Sequence, residues 1–148
     1  MKRKVLAGLL TVVMAAGFVA VPGMQTEVKA DDKKLVGVAM PTKDLQRWNQ
    51  DGENMKKSLE EAGYEVDLQY ASNEVATQVS QVENMISNGC DILVIASIDG
   101  SSLGEPLSQA KEAGIPVIAY DRLLMESDAV SYYATFDNYM VGQKQGEY

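Results

Sequence analysis

Histidine is missing from all 148 residues. That absence removes Ser-His-Asp and Cys-His nucleophilic machinery, the HExxH metalloprotease site and every Cys/His zinc site. Cysteine occurs once, at Cys90, so no disulfide can close within the chain. Its setting, NGCDILVIA, puts it at the entrance to an apolar run, where a small core residue is expected rather than a nucleophile. The glycines form neither GxGxxG nor a Walker pattern, so a nucleotide phosphate site has no support and no cofactor is expected. Basic residues are scarce: 13 Lys and Arg stand against 21 Asp and Glu, a net charge of −8. Tryptophan also occurs once, as Trp48 in the stretch PTKDLQRWNQDG, beside Arg47 and shortly after Lys43.

The length suits one ordinary domain with a sizeable core. Residues 1–30 stand apart from it. Lys2, Arg3 and Lys4 precede an uncharged run from Val5 to Val21, Pro22-Gly23 breaks that run, and Val28-Lys29-Ala30 places small residues at −3 and −1 of a cleavage site. This pattern is that of a secretory signal peptide cut after Ala30, leaving Asp31 as the first mature residue and a periplasmic or extracellular destination. An uncleaved anchor is the competing reading, and the breaker and cleavage site argue against it. A lipid anchor would need a cysteine at the cut, and Cys90 lies far downstream. Residues 1–30 hold four of the basic and one of the acidic residues, so nine basic and twenty acidic remain beyond them, net −11. A surface that acidic repels phosphate backbones and anionic lipid, and nucleic acid is excluded as a partner.

Beyond residue 30 the pattern alternates. KLVGVAM (Lys34–Met40) reads as a buried strand, and a helix is expected from about Arg47 to Ala62, ended by Gly63. Glu65–Ala71 is the next strand. Glu74–Asn88 carries Val75, Val79, Val82 and Ile86 at helical spacing and stops at Gly89. ILVIA (Ile92–Ala96) is apolar throughout, as a parallel strand covered on both faces should be. A helix over Leu103–Ala113 tolerates Pro106 only in its first turn, and Gly114 caps it. PVIAY (Pro116–Tyr120) is a fourth strand, Tyr132–Thr135 a fifth, and Met140–Tyr148 the beginning of a helix. EAG precedes a strand twice, at Glu61–Gly63 and Glu112–Gly114, and NGCD marks a third junction of the same design. The expected fold class is α/β, a parallel β-sheet with helices on both faces.

In such sheets ligands sit beyond the carboxyl ends of the strands, near the reversal of strand order. Lys43, Arg47, Trp48, Asp99, Asp121 and Arg122 all fall in segments leaving those ends and are expected to gather there. Their chemistry suits a neutral polyol. Sugar hydroxyls donate and accept, hydrogen bonds to charged partners contribute about 1.5–3 kcal/mol each, and a pyranose C–H face packs against indole. Each residue also has a structural reading. Trp48 can be a core residue, Lys43 and Arg47 solvated surface charges, Asp99 a turn residue or the cap of the following helix, and Asp121-Arg122 an ion pair. Asp137-Asn138 reads first as an N-cap.

Together KLVGVAMPTKDLQRW, QVSQVENMISNGCDILVIASIDG, GIPVIAYDRL and YYATFDNYMVGQKQGEY resemble the periplasmic sugar-binding proteins of bacterial ABC transporters, nearest the xylose and multiple-monosaccharide branch. The resemblance runs from about Lys34 to Tyr148. It implies a two-lobed, non-enzymatic protein that encloses a pentose or hexose at its hinge and hands it to a membrane permease or presents it to a membrane sensor. It assigns residues 31–135 to the first lobe and 136–148 to the start of the second, so the chain reads as the front part of such a protein. It also implies ligand roles for Lys43, Arg47, Trp48, Asp121 and Arg122, with Asp99, Asp137 and Asn138 matching the family pattern. Two other classes compete with this reading. A sugar-responsive repressor shares the fold but needs a helix-turn-helix where the export signal stands. A glycosidase-like enzyme would use Asp99 and Asp121 as its carboxylate pair, with Arg122 working against the protonated acid it requires.

Overall fold

Leu35–Met40 has apolar residues on both sides of its pleat, so it is stable only between two covering layers. The computed structural model, which describes residues 33–148, provides them. Nine elements follow in order: β1 (Leu35–Met40), α1 (Gln46–Glu61), β2 (Glu65–Tyr70), α2 (Val75–Ser87), β3 (Ile92–Ile95), α3 (Gly104–Glu112), β4 (Val117–Tyr120), β5 (Val130–Ala134) and α4 (Asn138–Gly146). The strands form one sheet in the order β2-β1-β3-β4-β5, and every pairing is parallel. Strand order reverses between β1 and β3. The expected α/β fold is the one found. The segment read as a signal peptide lies outside the described residues. Among those described, no helix is long and apolar enough to cross a membrane.

The pleat sorts the core into two clusters. Ala39, Leu93, Ile95, Val117 and Ala119 pack with Val82 and Met85 of α2 and Leu107 and Ala110 of α3. Val36, Val38, Met40, Val94 and Ala96 pack with Trp48 of α1, with Met55 and Leu59 at their margin. Helices therefore cover both faces. Each fully buried Val, Leu or Met side chain contributes about 1.5–3 kcal/mol of transfer free energy.

The three αβ junctions share one hydrogen-bonded design. Tyr64 N–H donates to Leu59 O and Gly63 N–H to Glu60 O; Cys90 to Met85 and Gly89 to Ile86, and Ile115 to Ala110 and Gly114 to Lys111, repeat the pattern. These are Schellman motifs, and each needs a left-handed residue, supplied by glycine at φ 94°, 81° and 72°. The motif also wants an apolar residue just after the glycine, which accounts for Cys90: it is 2% exposed and belongs to the core. Burial, with the nearby Asp67 and Asp91 charges, pushes its thiol up to about 11, the opposite of an activated nucleophile. Pro106 is the third residue of α3, in the first turn, where no intrahelical N–H bond is lost.

Most boundaries shift by one residue at most, and two elements start two residues earlier than expected. β5 begins at Val130, two residues early, because a bulge between Val117 and Ile118 lets Val130 pair with Val117. α4 begins at Asn138 because Asp137 caps it, accepting from Met140 N–H at 3.0 Å. Both elements lie open: four of the five β5 residues are exposed and α4 buries none.

Candidate functional site

The residues leaving β1, β3 and β4 meet at the carboxyl edge of the sheet, beside the reversal of strand order. Arg47 and Trp48 stand in the first turn of α1. The indole turns inward, 3% exposed, and closes the end of the α1-side core. The Arg47 guanidinium turns outward and lies 4.6 Å from the Trp48 ring. Its Nη2 donates to Asp121 Oδ1 at 2.5 Å, its Nε lies 3.5 Å from Asp51 Oδ2, and the Phe136 ring sits 5.2 Å away. The hydrogen bond to Asp121 raises the Arg47 pKa further above its ordinary value, outweighing partial burial.

Asp121 and Arg122 leave β4 through a three-residue turn. Arg122 N–H donates to Tyr120 O at 2.7 Å, and Asp121 between them has φ 63°. This left-handed geometry is strained for most residues and tolerated by aspartate. It is held from outside, since Asp121 N–H donates to Ala134 O at 2.7 Å and its carbonyl accepts from Tyr133 Oη and Thr135 Oγ1. The Asp121 carboxylate goes to Arg47. Arg122 reaches back to Ser97 O through Nη1 at 2.9 Å and sets its guanidinium 5.1 Å from the same Trp48 ring. Tyr120 donates to Asp51 Oδ2 at 3.2 Å; burial raises its phenol pKa and the Asp51 charge raises it again, so it stays a donor.

Four of the eight residues expected at the site come together: Arg47, Trp48, Asp121 and Arg122. Lys43 does not join them. It is exposed, 3.6 Å from Glu53 and 5.2 Å from the Tyr70 ring. Asp99 closes its own turn by accepting from Ser101 N–H at 2.9 Å. The reading of Asp99 as cap of the next helix is corrected: the N-cap of α3 is Leu103, with no side-chain bond, and Asp99 stands four residues before it with its carboxylate engaged by the Ser101 amide. Asp137 caps α4 as its structural reading expected, and Asn138 is an exposed first helical residue. Sequence reasoning missed Asp51, Tyr120, Ser97 and Phe136. Only Asp51 carried a signal, lying four residues after Arg47 on one helix face.

A small open cavity of about 150 Å³ borders the cluster, lined by Tyr120, Asp121, Ala134, Thr135 and Phe136. A groove of about 400 Å³ lies by Lys111, Pro116 and Asp128 at the other end of β4 and β5. It is larger, but it has only one ion pair and no array of donors and acceptors, so the carboxyl edge is the candidate site. Two guanidinium groups, two carboxylates and a phenol there can donate to and accept from neighbouring hydroxyls; Arg47, Asp51, Asp121 and Tyr120 otherwise pair among themselves, and Arg122 with the Ser97 carbonyl. Among the described residues, no group of three or more Cys, Asp or Glu is placed to hold a metal ion.

Comparison with known proteins agrees with this fold. The family model described as periplasmic binding protein domain matches residues 36–148. The multiple sugar-binding periplasmic receptor ChvE of Rhizobium radiobacter is 51% identical over 131 residues, 88% of this chain and 37% of that protein. The multiple sugar-binding periplasmic protein SbpA of Azospirillum brasilense is 48% identical over 135 residues, 91% of this chain and 38% of that one. A crystal structure of an ABC transporter solute binding protein from Clostridium phytofermentans with bound β-D-glucose superposes with a TM-score of 0.76 at 82% identity, covering 78% of this chain and 36% of the other. The chain thus spans less than two fifths of the length of these relatives. In fold and in sequence, it belongs to the periplasmic binding protein domain family.

Proposed function

We propose that this chain supplies one face of a monosaccharide site in a periplasmic sugar-binding protein that serves an ABC importer. The observation that carries the reading is the cluster of Arg47, Asp121, Arg122, Asp51 and Tyr120 built around Trp48. Arg47 and Arg122 donate to sugar hydroxyls, and Asp121 and Asp51 accept from them. Trp48 is the apolar floor that orients the guanidinium groups and meets the ring C–H face as they part. Lys43, Asp99, Asp137 and Asn138 do not enter the proposal, since the first three serve a surface pair, a turn and a cap, and Asn138 is an exposed helix residue.

The bound glucose in the Clostridium phytofermentans structure supports a hexose as ligand, and the sugar-binding names of the relatives support binding rather than catalysis. The carboxylate-pair enzyme draws no support from the geometry: Asp99 closes its own turn and Asp121 pairs with Arg47. A second role, presenting the sugar to a membrane sensor, is favoured by one observation, that ChvE is named a receptor.

Titration of the chain with D-glucose and D-xylose, followed by Trp48 fluorescence and calorimetry, tests the reading. The face is open to water on one side and forfeits enclosure, so the expected affinity is weak, about −4.1 kcal/mol or a millimolar Kd. Asp121→Ala should weaken it by roughly tenfold or more through loss of charged hydrogen bonds. A folded chain that gives no saturable response to either sugar would sink the proposal.

A further inference from the structure

Gln78, one turn into α2, is 1% exposed, a polar side chain fully enclosed by the core. Its Nε2 donates to Ala96 O at 3.0 Å and its Oε1 accepts from Ile98 N–H at 2.8 Å. The reason for a glutamine here lies across the sheet. β1 and β3 pair with Ala39 opposite Ile95, and Ala96 N–H continues the ladder by donating to Ala39 O at 2.9 Å. In a parallel ladder the next bond would run from the N–H of residue 41 to Ala96 O. Residue 41 is proline and has no N–H. The Gln78 amide supplies the missing donor, and its oxygen takes up the next free N–H, that of Ile98. A buried carbonyl left unmet there would be destabilising.

Ser97 stands between the two clamped groups and is itself 1% exposed. Its carbonyl is the acceptor that holds Arg122 Nη1 at 2.9 Å, and its hydroxyl lies 3.5 Å from Leu123 O. We infer that Gln78 is a positioning residue for the sugar-facing cluster: by bracketing Ala96 and Ile98 it aims the Ser97 carbonyl at Arg122 and so sets that guanidinium against Trp48. The functional consequence rests on the monosaccharide reading. The geometric one does not.

The test compares wild type, Gln78→Met, Arg122→Ala and the double variant. It reads the Trp48 near-ultraviolet circular dichroism, the urea midpoint and D-glucose affinity. The expected result is that Gln78→Met unfolds cooperatively at a lower midpoint, loses the same Trp48 band that Arg122→Ala loses, and binds glucose about tenfold more weakly, as loss of one charged contact would give. The double variant should then add little to Arg122→Ala in band and affinity, because both act through one contact. A Gln78→Met chain that loses stability but keeps the Trp48 band, or whose effect on that band adds in full to Arg122→Ala, overturns the inference. Should Gln78→Met not fold, Gln78→Asn, too short to span both backbone groups, puts the same question with an amide retained. If glucose leaves wild type unaffected, the monosaccharide reading falls while the Trp48 band still decides on Gln78.

Discussion

The centre of the sheet and its β5 margin are built from similar residues and meet opposite fates. β1 and β3 are apolar runs, and all but their first residues are buried, because α1 covers one face and α2 and α3 the other. β5 and α4 also carry large apolar and aromatic side chains, yet Tyr132, Phe136, Tyr139 and Met140 are each more than half exposed. Hydrophobicity is the same kind of signal in both places. What differs is the cover. β3 has a strand on each side, and even β2, the other edge strand, packs Val66 and Leu68 against the cluster that α1 closes. Among the described residues β5 pairs with β4 alone and leaves four of its five residues exposed. The candidate site lies where the two regions join, with Trp48 in the buried part and Thr135 and Phe136 in the open one. This placement lets its charges be rigidly held and still reach water.

The contrast can be broken most forcefully at Trp48. Trp48→Ala should destabilise the chain by about 3–5 kcal/mol, read as a fall in the urea midpoint; a loss below 1 kcal/mol would mean that the indole is not a core member. Gly100→Ala should come next. A Cβ there would stand 2.5 Å from Leu123 O, a backbone atom that cannot swing aside. Forcing apart the loops after β3 and β4 should cost about 1–3 kcal/mol, and it should also disturb the Arg122 contact seen through the Trp48 band.

Cys90 sharpens the buried side through pH. Its folded pKa is raised to about 11 from an ordinary 9.0, so the unfolded chain gives up this proton first as pH rises. The stability tied to the neutral thiol is therefore intact below about pH 9 and falls between 9 and 11, since the folded state binds more protons there. A thiol reagent at pH 8 should react slowly with native chain and rapidly in concentrated urea; equal rates would place Cys90 outside the core. The smallest effect is expected on the open side. Tyr132→Ser, at a residue 69% exposed, should shift stability by no more than about 0.5 kcal/mol. A loss comparable to that of a core substitution would show that β5 is covered in solution.

The strands and helices were legible because local signals agreed: helical spacing from Val75 to Ile86, apolar runs at Leu35 and Ile92, and a glycine at each helix end. The Schellman bonds around Gly63, Gly89 and Gly114 explain why those ends were read correctly. The early start of β5 was not legible, since a bulge opposite Val117 depends on the partner strand. At the candidate site, the gathering of Arg47, Trp48, Asp121 and Arg122 was legible because each follows a strand end. Tyr120 was not, because the alternation that turns it toward Asp51 and α1 looks like any buried strand. Lys43 and Asp99 occupy equally suitable places in the chain and still stay apart from the cluster, because Glu53 and the Ser101 amide are nearer partners.

Residue order alone settled the α/β alternation, the family resemblance and the exclusion of histidine chemistry, all of which depend on spacing, motif order and composition. The positive-φ turn at Asp121, the inward tilt of Trp48 and the bracket that Gln78 places around Ser97 were decided only by the fold. Each depends on groups 13 to 74 residues apart: Asp121 on Ala134 and Arg47, Arg122 on Ser97, Gln78 on Ala96. The Gln78 case gives the physical reason. A proline at 41 withholds a hydrogen from a carbonyl at 96, and only the parallel register of β1 and β3 brings those positions together for a glutamine at 78 to answer.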